Sequence, residues 1–219
     1  MCGRFVRTTP VKVLASLFDC PPPAFDLPPN YNTAPTQPVA VVRLGADASR
    51  ELVVLRWGLL PSWATDDRTA LVNARSDGVA TKPSFRAAFK KRRCLMPVDG
   101  YYEWRKEGKA KQPYFFHRPD KKPIAFAALW EIWTKGAEPV QSCALITTDA
   151  NEMAAKVHDR MPVILAEAEY ERWLDPESMP EELTALLHPA PEKFLTSYQV
   201  SRAVNMVKNN GPQCIEPLS

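Results

Sequence analysis

The second residue of the chain is a cysteine, and its position gives it chemistry that no internal cysteine has. Initiator methionine is normally removed when the next residue is small, and Cys2 would then carry an α-amine and a thiol on adjacent carbons. Their ordinary pKa values, about 7.7–8.0 and about 8.5, leave both groups partly nucleophilic at neutral pH. The amine can condense with an aldehyde to a Schiff base, and the sulfur can then close a thiazolidine ring. Position alone also fits an incidental second residue on a disordered terminus.

The residues that follow Cys2 favour an anchored terminus over a flexible tail. Phe5 and Val6 are apolar and predict that the terminus is held in a core. Arg4 places a cation beside the amine, where it would lower the pKa of that amine and could bind a phosphate. The sequence therefore favours a functional Cys2.

Glu103 is a candidate for proton transfer. It lies in the run Y-Y-E-W, where strand alternation would place it on one face with Tyr101 and Arg105. One interpretation is a carboxyl group that shuttles protons during imine formation. The other is a solvated carboxylate beside Arg105, and the sequence leaves both open.

His158 is a second candidate for proton transfer. Asp149 and Glu152 predict a capped helix that ends near His158, where the helix dipole alone would favour a histidine. The same histidine stands in the polar cluster H-D-R-M-P, and its titration range suits acid–base work. A structural role and a catalytic role both stay open.

Asn73 and Arg75 suggest a grip on nucleic acid. They are two residues apart on a predicted extended segment, so they face the same way, which suits binding of a sugar–phosphate backbone. A polar strand end is the alternative. Trp57 and Trp63 could stack bases, although most large aromatic residues of a strand-rich domain belong to its core.

Several enzyme classes have no support in the sequence. The chain contains no G-x-x-x-x-G-K-[ST], G-x-G-x-x-G, H-E-x-x-H or G-x-S-x-G motif, which speaks against nucleotide hydrolysis, dinucleotide redox chemistry and zinc or serine hydrolysis. Five scattered cysteines and three dispersed histidines predict neither a disulfide framework nor a metal site. We expect no metal and no small-molecule cofactor.

The elements that must position these side chains are predicted to be short. Twenty-two prolines against eight glycines indicate short strands and stiff connections. Thr9 is expected to cap a helix over residues 11–18. The runs 101–105 and 114–117 predict a hairpin with a longer loop centred on Gly108.

The bulk properties are those of an ordinary globular protein. The chain has 219 residues, 45% of them hydrophobic, and a net charge of +3, which neither requires nor opposes a nucleic-acid partner. No apolar run approaches a membrane span, and the N-terminus has no signal-peptide pattern. We expect a cytoplasmic monomer with one α+β domain over residues 1–219, built on a mixed or antiparallel, strand-dominated core sheet.

Seven segments together carry a family resemblance. They are M-C-G-R-F at the start, Y-N-T-A-P around Asn32, R-W-G-L-L-P-S-W from Arg56, N-A-R-S from Asn73, F-K-K-R-R-C-L-M-P-V-D-G-Y-Y-E-W from Phe89, H-D-R-M-P from His158 and V-S-R-A-V-N from Val200. Each is weak alone, but in this order over nearly the whole chain they are highly specific. The sequence resembles the SRAP (SOS-response-associated peptidase) family.

The resemblance implies a compact α+β domain with a β-rich, barrel-like core, peripheral helices and a positively charged groove for single-stranded DNA. It implies that Cys2 forms a thiazolidine with the open-chain aldehyde of an abasic site, in the response to DNA damage. By the same match, Asn73 positions the Cys2 amine or the opened sugar. Glu103 shuttles protons, and His158 assists ring opening and later reversal. The residues expected to contact DNA are Arg4, Arg75, Arg160, Thr147, Pro35 and Trp63.

The sequence departs from the family at one position, and it also leaves two other functions open. Where family members have paired tryptophans after the W-G segment, this chain has Trp63 and Ala64, which predicts a smaller stacking wedge against duplex DNA. A cysteine peptidase, acting on itself or on other proteins, could also use Cys2. A non-covalent single-strand-binding module would instead bind intact strands in a salt-sensitive way.

Overall fold

Short runs rich in apolar residues form the strands of the protein. The computed structural model describes residues 2–68 and 70–218. Its strands are β1 (Phe5–Arg7), β2 (Asn30–Thr33), β3 (Pro38–Leu44), β4 (Arg50–Trp57), β5 (Asn73–Arg75), β6 (Arg93–Val98), β7 (Gly100–Glu107), β8 (Ala110–His117), β9 (Ile124–Trp133), β10 (Val140–Asp149), β11 (Arg160–Pro162), β12 (Ile164–Leu165) and β13 (Thr196–Gln199). Most are short, as the proline content predicts, but β9 and β10 have ten residues each and are longer than expected.

The helices are shorter still. The α-helices are α1 (Val11–Leu17), α2 (Arg86–Lys91), α3 (Glu152–Ala155), α4 (Tyr170–Leu174) and α5 (Pro180–Ala185), and 3-10 turns span Glu167–Glu169, Arg202–Asn205 and Pro212–Cys214. Within the described residues, no helix is long and apolar enough to cross a membrane.

Five strands of the larger sheet close on themselves. They follow the order β10-β4-β3-β6-β9, and β9 also pairs with β10. Neighbours are antiparallel except for β4 and β10, which run parallel. Because alternate residues face opposite sides of a strand, Phe126 and Ala128 of β9 join one buried cluster, whereas Ala127 and Leu129 join another. The ring of strands therefore separates two cores: the inner core contains Phe126 and Ala128, and the outer core contains Ala127 and Leu129.

Helices α1, α2, α4 and α5 cover the outer core. Trp173 of α4 is fully buried, and its Nε1–H donates to the backbone oxygen of Cys94 at 2.9 Å. The Arg93 guanidinium donates to the backbone oxygens of Phe89 and Trp173 at 2.7 and 2.6 Å. These bonds attach α2 and α4 to β6 and leave the opposite side of the ring for the second sheet.

The second sheet holds the N-terminus of the chain. Its order is β13-β8-β7-β1-β2, and every neighbouring pair is antiparallel. Phe5 of β1 lies opposite Tyr101 of β7 on one side and Thr33 of β2 on the other. The Tyr102 N–H donates to the backbone oxygen of Arg4 at 3.0 Å, so the pairing continues towards the terminus. The prediction of an anchored N-terminus is confirmed.

The predicted α+β class, with a strand-rich mixed core and peripheral helices, is confirmed, and five strands of the larger sheet close into a ring. The extent of the domain over residues 1–219 stays a prediction. Two local predictions near the N-terminus and the hairpin are wrong. Pro10, not Thr9, occupies the N-cap of α1, because the Thr9 hydroxyl donates to Asp99 at 2.5 Å. The β7–β8 hairpin has a two-residue turn at positions 108–109, since the polar ends of both strands stay paired, and Gly108 supplies the positive φ of +60°.

The predicted capping box before His158 is also wrong. Asp149 is still part of β10, where it receives a hydrogen bond from the guanidinium of Arg160 at 2.5 Å. Asn151 caps α3 instead. The helix ends three residues before His158, so the dipole of a long helix does not account for this histidine.

Gly100 offers a test of the contact between β1, β7 and β8. A Cβ at this position would meet the backbone oxygen of Phe116 and lie 2.6 Å from the ring of Phe115. We expect Gly100→Ala to force the strands apart and to lower the free energy of unfolding by about 1–3 kcal/mol, measured by equilibrium urea denaturation. Gly45→Ala is the matched control, because its Cβ would approach the flexible Asp47 side chain at 3.2 Å. Equal losses in the two variants would contradict the close approach at Gly100.

Candidate active site

Cys2 lies three positions before β1 and belongs to the inner core. Its side chain is fully buried, in the same cluster as Phe5 and Tyr101. The Cys2 Sγ is 4.0 Å from the backbone oxygen of Arg4, two residues along the chain. Burial, followed by the negative charge of Glu103, raises the pKa of the Cys2 thiol. The thiol is therefore protonated at neutral pH and needs a base before it can react.

Asn73 contacts Cys2 from the other sheet. It begins β5, which runs parallel to β10 with Asn73 opposite Leu145. The Asn73 Nδ2 donates to the backbone oxygen of Cys2 at 2.9 Å. The Asn73 Oδ1 is buried and has no hydrogen-bond partner among residues 2–68 and 70–218. The amide thus fixes the Cys2 backbone with one end and presents an acceptor with the other.

Glu103 is buried, with 3% of its surface exposed, and is not the solvated carboxylate that the sequence left open. The Arg105 side chain beside it along the strand pairs with Glu107 instead, at 2.5 Å. Burial raises the pKa of Glu103 to about 7. A carboxyl group with this pKa is populated in both protonation states at neutral pH, which is the property that a proton shuttle needs.

His158 follows α3 and is partly buried, with 28% of its side chain exposed. Its Nδ1 accepts the backbone N–H of Arg160 at 3.0 Å. Burial lowers the pKa of His158, and the nearby Asp159 carboxylate opposes that change. The Asp159 oxygen lies 2.8 Å from Nδ1, but its side chain is 87% exposed, so solvent screens its charge. Because burial lowers its pKa from an ordinary 6.5, the ring is neutral at pH 7.

Arg160 and Thr147 lie on neighbouring strands, β11 and β10. The Arg160 Nη2 donates to the backbone oxygen of Thr147 at 2.7 Å, and Nη1 donates to Asp149. The Thr147 hydroxyl donates weakly to the backbone oxygen of Ala74 in β5, at 3.4 Å. Since β5 also carries Asn73, this network connects β11, β10 and β5 in one assembly beside Cys2.

Arg4 is bound more tightly within the protein than its predicted role implies. Its Nη1 donates to Asn32 Oδ1 at 2.6 Å and to the backbone oxygen of Val204 at 2.8 Å, and its guanidinium lies 5.9 Å from the centre of the Trp104 ring. Asn32 in turn donates to backbone oxygens of the segment from Val204 to Asn209. Arg4 therefore joins the N-terminus to a C-terminal segment, in addition to any contact with phosphate.

Asn32 is the residue of this network that reasoning from the sequence missed. The Y-N-T-A-P motif identified its segment, and V-S-R-A-V-N identified the segment that it binds. Neither motif predicts that the two segments are in contact, because they are about 170 residues apart and no local pattern in either one sets the distance between them.

The other predicted DNA-contact residues lie at the surface or close to it. Arg75 is 53% exposed and pairs with Asp77 at 2.6 Å. Trp63 is 50% exposed. Pro35 is half-buried in the turn after β2. Ala64 is fully buried, and its backbone oxygen accepts the indole N–H of Trp133 at 2.7 Å, so a second tryptophan at this position would not fit the present packing.

Metal chemistry finds no candidate site in the described part of the chain. Among residues 2–68 and 70–218, no three histidine, cysteine, aspartate or glutamate side chains stand close enough together to bind a metal ion. What the geometry does assemble is a buried thiol, a carboxyl group with a pKa near 7, a neutral imidazole and an asparagine amide. These groups suit nucleophilic addition with proton transfer.

Comparison with families and curated proteins gives one consistent result. A family model described as SOS response associated peptidase (SRAP) matches residues 1–207. The abasic site processing protein YoqW of Bacillus subtilis is 37% identical over 99% of both chains. The abasic site processing protein YedK of Escherichia coli is 32% identical over the full length of both. The abasic site processing protein HMCES of Gallus gallus is 34% identical over 87% of this chain and 66% of its own.

Solved structures agree on the fold. A crystal structure of a protein from Bacteroides thetaiotaomicron has 26% sequence identity and a TM-score of 0.89, and the match covers the whole of both chains. A phage-related protein of Bordetella bronchiseptica has 28% identity and a TM-score of 0.74, over 92% of this chain and 95% of its own.

Glu103 makes the stability of the fold depend on pH. Its pKa is raised from an ordinary 4.5 to about 7, so between these pH values the folded protein holds a proton that the unfolded chain has lost. The free energy of unfolding must then fall by about 3 kcal/mol in total as pH rises through this window. Above the window it levels off. We expect Glu103→Gln to remove this dependence, measured as the difference between the two proteins in urea denaturation from pH 4.5 to 8. Parallel curves for the two proteins would show that Glu103 has an ordinary pKa.

Proposed function

The chain belongs to the SRAP family, and from that premise we propose that it captures abasic sites in single-stranded DNA through a thiazolidine formed by Cys2. Removal of Met1 exposes the α-amine of Cys2 beside its thiol. The open-chain aldehyde of an abasic deoxyribose is the substrate for both groups. The relatives YoqW, YedK and HMCES are named abasic site processing proteins, which supports this choice of substrate.

One observation carries the proposal. The backbone oxygen of the buried Cys2 accepts a hydrogen bond from the Asn73 amide at 2.9 Å, and Glu103, whose pKa is about 7, is buried beside it. Amine addition to an aldehyde needs a group that first gives a proton to the departing oxygen and then accepts one from the thiol. A carboxyl group with that pKa can do both at neutral pH.

The reaction proceeds in two additions. The Cys2 amine attacks the aldehyde carbon to give a carbinolamine, and protonated Glu103 supplies the proton with which its hydroxyl leaves as water. The thiol then passes its proton to the Glu103 carboxylate, and the sulfur adds to the iminium carbon. The electron pair of the C=N bond returns to nitrogen, and the ring closes with no oxidant or reductant.

The second addition explains why a cysteine would be used at all. An iminium at an abasic site promotes β-elimination and strand breakage, and sulfur capture removes the iminium. The product shields the lesion until repair. His158, neutral at pH 7, can donate to or accept from the sugar oxygens during ring opening and reversal.

The residues proposed to hold the DNA strand differ in exposure: Arg75 is exposed, whereas Arg160 and Thr147 are buried in this structure. Arg75 lies at the surface on the strand that carries Asn73, and Arg160 and Thr147 lie on the two strands next to it along the sheet. Arg4, Pro35 and Trp63 complete the proposed DNA-contact set. A monomeric state and a cytoplasmic location stay predictions.

The decisive experiment mixes the purified protein with single-stranded DNA that carries one abasic site and resolves the products on a denaturing gel. We expect a heat- and detergent-resistant band that requires both the lesion and Cys2, and that disappears in Cys2→Ala. Cys20→Ala is the matched control, because this half-buried cysteine lies outside the inner core. No band, with mass spectrometry confirming that Cys2 is the first residue, would defeat the proposal. Cleavage of an unrelated protein that is lost in Cys2→Ala would favour a peptidase.

A thiol-deficient variant separates the two additions. Cys2→Ser keeps the amine, so we expect it to form the Schiff base, to fail to close the ring and to cut abasic DNA slowly by β-elimination. Borohydride should trap the intermediate as a stable adduct, and intact DNA should be unaffected. A Cys2→Ser protein that neither cuts nor traps abasic DNA would show that the imine step is wrong.

A further inference from the structure

Tyr101 carries a buried hydroxyl that the proposed reaction has not yet used. Its side chain is fully buried, with the ring stacked on Phe116 at 4.9 Å and edge-on to Phe126 at 5.9 Å. Its hydroxyl is buried and has no hydrogen-bond partner within residues 2–68 and 70–218. Buried hydroxyl groups are nearly always hydrogen-bonded, because an unmade bond in an apolar interior is unfavourable. A phenylalanine would pack the same rings without that penalty.

The hydroxyl lies on the side of the sheet that carries the reacting groups. Tyr101 and Glu103 are two residues apart on β7, so they share a face. Tyr101 lies opposite Phe5 in the register with β1, and Cys2 belongs to the same buried cluster as both. Burial first, and then the charges of Cys2 and Glu103, raise the pKa of Tyr101. The titratable groups that face Tyr101 are thus those of the reaction.

The Tyr101 phenol can act as a hydrogen-bond donor in these surroundings. Because it stays protonated at any physiological pH, it donates a hydrogen bond and does not serve as a base. The species that needs such a donor is the thiolate of Cys2, since burial and the Glu103 charge both disfavour it. In this structure the Tyr101 hydroxyl makes no hydrogen bond to that sulfur, so the bond belongs to the step in which the thiolate forms.

We propose that the Tyr101 hydroxyl donates a hydrogen bond to the sulfur of Cys2 while that sulfur adds to the iminium carbon. The inference rests on the proposed thiazolidine reaction and adds a catalytic residue to it. The S–H proton passes to the Glu103 carboxylate, and the developing thiolate accepts the Tyr101 O–H. The S–C bond then forms, and the C=N electron pair moves to nitrogen. Tyr101 keeps its proton throughout.

The role of Tyr101 is specific to the second addition. The amine attack that forms the Schiff base develops no charge on sulfur, so it needs no donor there. Loss of the hydroxyl should therefore slow ring closure, leave imine formation unchanged and lengthen the life of the iminium. A hydroxyl that merely supported the packing would instead change both steps, or neither.

The test compares Tyr101→Phe with wild type and with Tyr102→Phe. The Tyr102 hydroxyl donates to the backbone oxygens of Tyr31 and Cys214 at 2.7 and 3.3 Å, on the other face of the strand, so this variant loses stability without losing a reacting group. We expect Tyr101→Phe to form the heat-stable crosslink about tenfold more slowly, as the loss of a hydrogen bond to a charged group implies. Borohydride trapping of the imine should keep its wild-type rate, and Tyr102→Phe should match wild type in both assays.

A second readout needs no DNA. The rate at which iodoacetamide alkylates Cys2, followed by peptide mass spectrometry across pH, reports the thiolate population, and its profile should shift upward by about one unit in Tyr101→Phe. Urea denaturation verifies that the variant is folded. A folded Tyr101→Phe protein with wild-type crosslinking and an unshifted alkylation profile would overturn the inference. Failure of wild-type protein to crosslink would instead overturn the proposed function, so the two failures are distinguishable.

Discussion

The antiparallel pairing of β1 with β7 sets the position of the backbone at the start of the chain, from Cys2 to Phe5. A side-chain nucleophile can be aimed by choice of rotamer, but a main-chain amine goes where the backbone goes. The register that puts Phe5 opposite Tyr101, together with the bond from the Tyr102 N–H to the Arg4 oxygen, fixes that backbone from one sheet. The Asn73 amide fixes it from the other. A shift of one residue in this register would turn every side chain of β1 to the opposite face.

Burial of the site governs its electrostatics. Removing Cys2 and Glu103 from water disfavours the charged form of each, and the two negative charges also oppose one another. At neutral pH at most one of the two groups is therefore ionised, so a proton can move from the thiol to the carboxylate. The arrangement reduces the stability of the fold, in keeping with the general tension between stability and function at active sites.

Much of the fold and part of the site could be predicted from the sequence. Apolar runs located β3, β4, β6, β9 and β10, and the family resemblance put Cys2, Asn73, Glu103 and His158 forward as candidate site residues. Local cues failed where a distant partner competed for the same side chain. Thr9 is a residue type that often caps helices, but its hydroxyl is hydrogen-bonded to Asp99. Asp149 is predicted to belong to a capping box, but its carboxylate accepts a hydrogen bond from Arg160.

The features of the site that could not be predicted depend on how deeply a side chain is buried, and the identity of a residue does not reveal its burial. Whether Glu103 is solvated or enclosed was open in the sequence, and its 3% exposure decides the question. The unpartnered hydroxyl of Tyr101 is likewise a property of the assembled core. Asn32 lay within a recognised motif, but its partners come from a segment that no local pattern connects to it.

The bond between Arg4 and Val204 has a consequence for biosynthesis. Its two ends are 200 positions apart, so it spans nearly the whole described chain. Translation proceeds from the N-terminus, and contacts of such long range can form only after the later segment has left the ribosome. The terminus that emerges first thus gains its final support last. During synthesis the nascent protein therefore exposes an N-terminal segment that lacks its completed surroundings.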